Sequence, residues 1–162
     1  LKQRITTRLN LEMAATEEMI EIACRIKPYM CTLVPERRQE LTTEGGLDVQ
    51  GQVTTLQPGI QRLRDAGILV SLFVTPDDVQ LEASKTVGAQ YVELHTGAYA
   101  DAENPERQQQ ELQKLHTGAV RVKRLGLGLN AGHGLTTANV RPVAALPGME
   151  ELNIGHSIIA RA

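Results

Sequence analysis

Short apolar stretches alternate with amphipathic ones six times along the chain, and this alternation limits the fold more than any other feature. Arg8-Leu9-Asn10-Leu11-Glu12-Met13 alternates polar and apolar side chains, as a two-faced strand does, with Asn10 and Glu12 on one face. Thr16-Glu17-Glu18 then supplies a cap and early acids, Met19, Ile20, Ala23 and Ile26 recur at helical spacing, and Pro28 stops the run. Further strands are expected at Met30 to Val34, Ile68 to Val74, Tyr91 to His95, Leu127 to Ala131 and Glu151 to Ile154. Val53, Leu56, Ile60 and Leu63 mark a second helix. The interior Pro58 places its main part between about Gln57 and Gly67. Thr75-Pro76-Asp77-Asp78 predicts a helix capped by Thr75 with Pro76 at its first position, closed by Gly88. Asn104-Pro105 opens a long helix that runs to Gly126 and is weakened by Gly118. A short helix follows from about Ala138 to Ala145, strained by Pro142, and Ser157 to Ala162 begins another. Strand and helix in strict succession imply a parallel sheet with right-handed crossovers.

Polar groups gather where these strands end: Glu12, Glu93, His95, Asn130, His133, Asn153 and His156. Parallel α/β enzymes carry out their chemistry at that edge. The last two strands share a pattern, Leu129-Asn130-Ala131-Gly132-His133-Gly134 and Leu152-Asn153-Ile154-Gly155-His156-Ser157. Glycine lets backbone N–H groups approach an anion, and an imidazole can donate to phosphate or move a proton near neutral pH. The pair therefore predicts a site for phosphorylated substrates; the plain alternative is two turn glycines beside two surface histidines. No early Gly-x-Gly-x-x-Gly turn occurs, which argues against a dinucleotide fold. Six units ending in paired Gly-His turns fit a (β/α)8 TIM barrel lacking two units. The expected architecture is thus one partial barrel domain over residues 1–162, with six parallel strands, and without the first two strands and the last helix.

The polar segment from Glu36 to Asp48 holds Arg37, Arg38, Thr42, Thr43 and Gly45-Gly46. A loop of this length in a compact domain serves either function or connection. A net charge of −2 without long runs of one sign argues against a nucleic-acid footprint or an anionic-membrane binder. No apolar run approaches the ~20 residues that span a bilayer. Cys24 and Cys31 lack the second pair a zinc site needs and read as reduced thiols of a cytoplasmic protein.

Taken together, six stretches resemble the pyridoxine 5'-phosphate synthase family. They are Arg8 to Ala14, Leu33 to Asp48, Val70 to Phe73, Val92 to Gly97, Asn130 to Leu135 and Glu151 to His156. The resemblance implies a (β/α)8 barrel and a homo-octamer. The implied reaction condenses 1-deoxy-D-xylulose 5-phosphate with 3-amino-2-oxopropyl phosphate to pyridoxine 5'-phosphate, phosphate and water, in vitamin B6 biosynthesis, with neither metal nor organic cofactor. It implies Glu12 as proton acceptor, Glu93 as transition-state stabiliser and His133 as proton donor. Thr42 would contact the deoxyxylulose phosphate; Gly134, Gly155 and His156 would hold the aminoketone phosphate. The family's Asn-x-Asp-His motif and a further catalytic histidine have no counterpart here, so these 162 residues alone are expected to be inactive.

Two rival readings stand beside this one. Glu12, Glu93, His95, His133 and His156 could gather as a metal cluster of a barrel hydrolase, although no His-x-His pair occurs and the glycines suit phosphate better. A non-catalytic phosphometabolite binder would explain the Gly-His turns, but would leave Glu12 and Glu93 beside anionic ligands at a cost.

Overall fold

The computed structural model describes residues 2, 4–36, 40, 42 and 45–162. Its described strands are β1 (Asn10–Met13), β2 (Met30–Leu33), β3 (Leu69–Val74), β4 (Tyr91–His95), β5 (Gly128–Gly132) and β6 (Met149–Asn153). They form one sheet in the order β1-β2-β3-β4-β5-β6, parallel throughout. The helices are α1 (Glu17–Ile26), α2 (Val53–Asp65), α3 (Asp78–Thr86), α4 (Gly97–Ala100), α5 (Pro105–Arg124), α6 (Val140–Ala144) and α7 (His156–Ile159).

The sheet is curled. Asn10 on β1 donates its amide to Glu151 Oε1 on β6 at 2.8 Å, although these strands are the two ends of the sheet. The Thr32 hydroxyl donates to Asn10 Oδ1 at 3.0 Å, and the Asn130 amide reaches Met30 Sδ at 3.6 Å. Inward side chains thus meet across a shared interior, as in a half-barrel. The helices supply the other half of the core. Ile20, Ala23, Leu56, Ile60 and Leu63 join Leu33, Val70, Leu72, Val92 and Leu94 in one buried apolar cluster. Each Val, Leu or Ile among them stabilises the fold by roughly 1.5–3 kcal/mol on full burial.

Most helix boundaries follow their expected chemistry. Thr16 caps α1 by accepting from Met19 N, and Asn104 caps α5 by accepting from Arg107 N at 2.8 Å with Pro105 next in line. Two expectations are corrected. Helix α2 begins at Val53, not near Gln57, and runs through Pro58. Pro58 is exposed, and so is Thr54, whose carbonyl loses its helical donor there and can take one from water. The cap of α3 is Asp77, which accepts from Gln80 N at 3.1 Å, and not Thr75. The Thr75 hydroxyl instead donates to Asp77, and Pro76 precedes the helix. Pro76 also accounts for Gly118 in α5: a Cβ at Gly118 would lie 2.8 Å from Pro76 Cβ and 3.0 Å from Pro76 O. Close helix packing, rather than a weak point, is what Gly118 provides.

In the segment after β2, Arg37, Arg38 and Thr43 lie outside the described residues. Thr42 and Gly46 close a turn, with Thr42 N donating to Gly46 O at 2.8 Å and Gly46 N to Thr42 Oγ1 at 3.1 Å. Leu47 N donates to Phe73 O at 2.8 Å, which ties the end of this segment to β3 beside the carboxyl edge.

Candidate active site

A cavity of about 910 Å³ opens at the carboxyl ends of the strands. Glu12, Glu93, His133, Gly134, Gly155 and His156 all line it, together with Val34, Gly45, Phe73 and Asn153. Six of the seven site residues that the family resemblance implies are therefore brought together. Thr42 is not on that wall; its hydroxyl accepts from Gly46 N, and the turn it closes presents Gly45 to the cavity.

Glu93 is the electrostatic centre. It is 3% exposed, and Asn153 Nδ2 donates to its Oε2 at 2.6 Å. Burial pushes its carboxyl up to about 8; the Asn153 hydrogen bond opposes that rise, and the charges of Glu12 and Glu151 add to it. Near pH 7 this carboxyl keeps its proton, while Glu12, on the exposed rim, faces solvent. The two carboxyls thus share one cavity in different surroundings, one buried and one exposed. The packing around Glu93 is close. A Cβ at Gly132 would lie 2.2 Å from Glu93 Oε1 and 2.9 Å from the Asn153 carbonyl, so β5 needs glycine there.

His133 is exposed and has a left-handed backbone, φ 85°, unusual for a residue with a Cβ. The buried Thr96 hydroxyl holds that turn: it is placed 2.7 Å from Gly132 O and 2.5 Å from His133 O, with Thr96 N donating to Gly132 O at 2.9 Å. Local strain of this kind persists where the surroundings over-determine it, and such sites cluster where side chains must be aimed. His156 opens α7, with Gly155 just before it. At four residues α7 is too short for a helix dipole to weigh much, and Gly134, Gly155 and His156 all border the cavity.

The residues that position this site were less visible. Asn153 belongs to the repeated Leu-Asn-x-Gly-His pattern, but its hydrogen bond to Glu93 depends on pairing between β5 and β6. Period-two alternation does place Glu93 and His95 on one face of β4, yet His95 is turned against other rings rather than toward the cavity. Among the described residues, no group of three or more His, Cys, Asp or Glu side chains is arranged to hold a metal ion.

The family described as pyridoxal phosphate biosynthesis protein PdxJ matches residues 1–162. The chain belongs to the PdxJ family. It is 56% identical to the pyridoxine 5'-phosphate synthase of Geotalea uraniireducens and 59% identical to that of Geobacter sulfurreducens, in each case over all 162 residues and 68% of the relative. PdxJ-family membership makes it an enzyme of vitamin B6 biosynthesis. A solved phosphodiesterase, PaMucR in complex with c-di-GMP, is similar in fold alone, with a TM-score of 0.60 at 8% identity over 91% of this chain and 65% of that one.

Proposed function

We propose that the cavity condenses 1-deoxy-D-xylulose 5-phosphate with 3-amino-2-oxopropyl phosphate to give pyridoxine 5'-phosphate, phosphate and water. The observation that carries this reading is the convergence of Glu12, Glu93 and His133 with the Gly155-His156 turn on one cavity. Ring closure requires imine formation, proton transfers, loss of phosphate and loss of water, and these steps need an acid and a base near working pH. Glu12, on the solvated rim, takes protons from substrate carbon. Glu93, protonated and buried, donates a hydrogen bond to oxygen that gains charge in the transition state. His133 gives a proton to the leaving group. Gly134, Gly155 and His156 hold the aminoketone phosphate, and Thr42 contacts the deoxyxylulose phosphate.

This chemistry belongs in a single closed (β/α)8 domain assembled as an octamer, in which the six strands described here make up the larger part of the wall. The free thiols of Cys24 and Cys31 suit a reducing cytoplasm. No described helix is long and apolar enough to cross a membrane. The test is turnover of the two phosphates to pyridoxine 5'-phosphate by the intact polypeptide in the presence of a chelator. Formation of product with release of inorganic phosphate supports the reading. Binding of both phosphates without product would favour the binding-protein alternative, and activity restored only by added metal would favour the hydrolase-like one.

A further inference from the structure

His133 has its backbone fixed by Thr96, but an aimed proton also needs a fixed ring. Among the described residues, the rings that meet it are His95, with centroids 4.8 Å apart and planes at 39°, and Phe73, at 6.4 Å and 50°. His95 in turn meets Phe73 edge-on, at 5.0 Å and 88°. The three rings form one cluster behind the cavity wall. Phe73 and His133 line the cavity and His95 does not.

The backbone around this cluster is shaped to admit the His95 ring. A Cβ at Gly97 would lie 2.6 Å from His95 Cε1 and 3.2 Å from His133 Cδ2, so any larger residue would drive into the gap between the two imidazoles. From the other side, a Cβ at Gly45 would stand 3.4 Å from His95 Cε1. The Gly45 approach is ordinary van der Waals contact, whereas Gly97 leaves room for a ring that the proposed chemistry itself does not use.

We propose that His95 is a positioning residue for His133: its ring, wedged between Phe73 and His133, fixes the direction in which His133 presents its proton. The inference rests on the reading of His133 as proton donor. Edge-on and offset ring pairs contribute beyond their buried area, which suits them to hold a rotamer. The electrostatics agree. Burial pulls His95 down to about 4, the neighbouring His133 pulls in the same direction, and Asp101 opposes both. Glu93 lies two residues away on the same strand face and keeps its proton near pH 7. His95 is therefore uncharged while the enzyme works, and can pack against His133 without repelling its charged form.

The experiment compares His95→Leu and His95→Phe in the intact polypeptide, reading kcat, the KM of each phosphate, and the His133 ring by NMR. His95→Leu is expected to lower kcat by about tenfold or more, with either KM changed less than about threefold, as misaiming without lost binding requires. His95→Phe, which restores a ring without nitrogens, is expected to recover kcat to within about threefold of the parent. A folded His95→Leu enzyme with parental kcat overturns the proposal, and so does His95→Phe as slow as His95→Leu. Should His95→Leu not fold, the parent decides: a single His133 rotamer with ring-current-shifted imidazole protons supports the proposal, and rotamer averaging overturns it. The rotamer result does not depend on turnover. A His133→Ala enzyme with parental kcat would sink the proton-donor reading separately.

Discussion

Asn153 Nδ2 donates to Glu93 Oε2 at 2.6 Å, linking the end of β6 to the middle of β4. This bond works against the desolvation that keeps Glu93 protonated. Replacing Asn153 with Leu removes the opposing influence, so the Glu93 carboxyl is expected to titrate higher still. Carbon-detected NMR of the glutamate carboxyls, recorded from pH 6 to pH 10, checks this. A Glu93 titration unchanged by Asn153→Leu would show that burial alone sets it.

Glu93 also makes stability depend on pH. Its folded value, about 8, lies above its ordinary value of 4.5. Below about pH 4.5 both folded and unfolded chains hold the proton, and Glu93 contributes no pH dependence. Between the two values only the unfolded chain releases it, so stability falls as pH rises and levels off above about 8. The loss is at most roughly 5 kcal/mol. Glu93→Gln keeps the shape and removes the titration. It is expected to unfold at higher denaturant than the parent at pH 8.5, and the difference should shrink towards pH 5. Equal denaturation midpoints at both pH values would contradict the buried, protonated assignment.

Gly132→Ala tests how closely β5 approaches Glu93. The added methyl would meet Glu93 Oε1 at 2.2 Å and the Asn153 carbonyl at 2.9 Å. The carboxyl end can swing away, but the backbone carbonyl cannot move without disturbing β6. A destabilisation of about 1–3 kcal/mol is expected in urea unfolding, the usual range for overpacking. The Glu93–Asn153 bond should be lost with it.

These 162 residues on their own are expected to show negligible synthase turnover. Among the described residues, β1 and β6 each pair on one side only, and the cavity stays open to water, which weakens the electrostatic contributions within it. The Asn-x-Asp-His motif that the family resemblance leads one to expect has no counterpart in the sequence. An assay beside the Geobacter sulfurreducens relative settles the point. Turnover within about tenfold of that enzyme, a difference of ~1.4 kcal/mol in barrier, would show that the groups present here suffice.

Much of this arrangement is legible in the sequence itself. Strand and helix chemistry is local, so Thr16, Asn104-Pro105 and the branched residues from Leu69 to Val74 declare their elements directly. Strand ends also collect the chemistry, which is why Glu12, Glu93, His133 and His156 could be named together. What stayed hidden depends on contact between distant segments. Pro58 is tolerated because its side of α2 faces water, and Gly118 is required because Pro76 lies against it. The partnership of Thr96 with the His133 turn likewise joins residues 37 positions apart. Thr42 belongs to the local kind: its hydroxyl accepts from Gly46 N within its own turn and keeps its O–H free to donate.

His133 offers the most direct test of the proposed chemistry. It lines the cavity beside Gly134, its turn is held by Thr96, and its backbone takes a conformation that a residue with a Cβ rarely adopts. These features aim a side chain and add little to the apolar core, so removing the ring should leave the fold nearly intact. In the intact polypeptide, His133→Ala is therefore expected to lower kcat by ~10²–10⁴-fold, the range for loss of a general acid. Phosphate affinity should change far less, since Gly134, Gly155 and His156 remain. Steady-state kinetics with each phosphate varied in turn, and isothermal titration with 3-amino-2-oxopropyl phosphate, separate the two effects. A variant that loses affinity while keeping kcat would move His133 into the phosphate-binding group and leave the proton donor to be found elsewhere on the cavity wall.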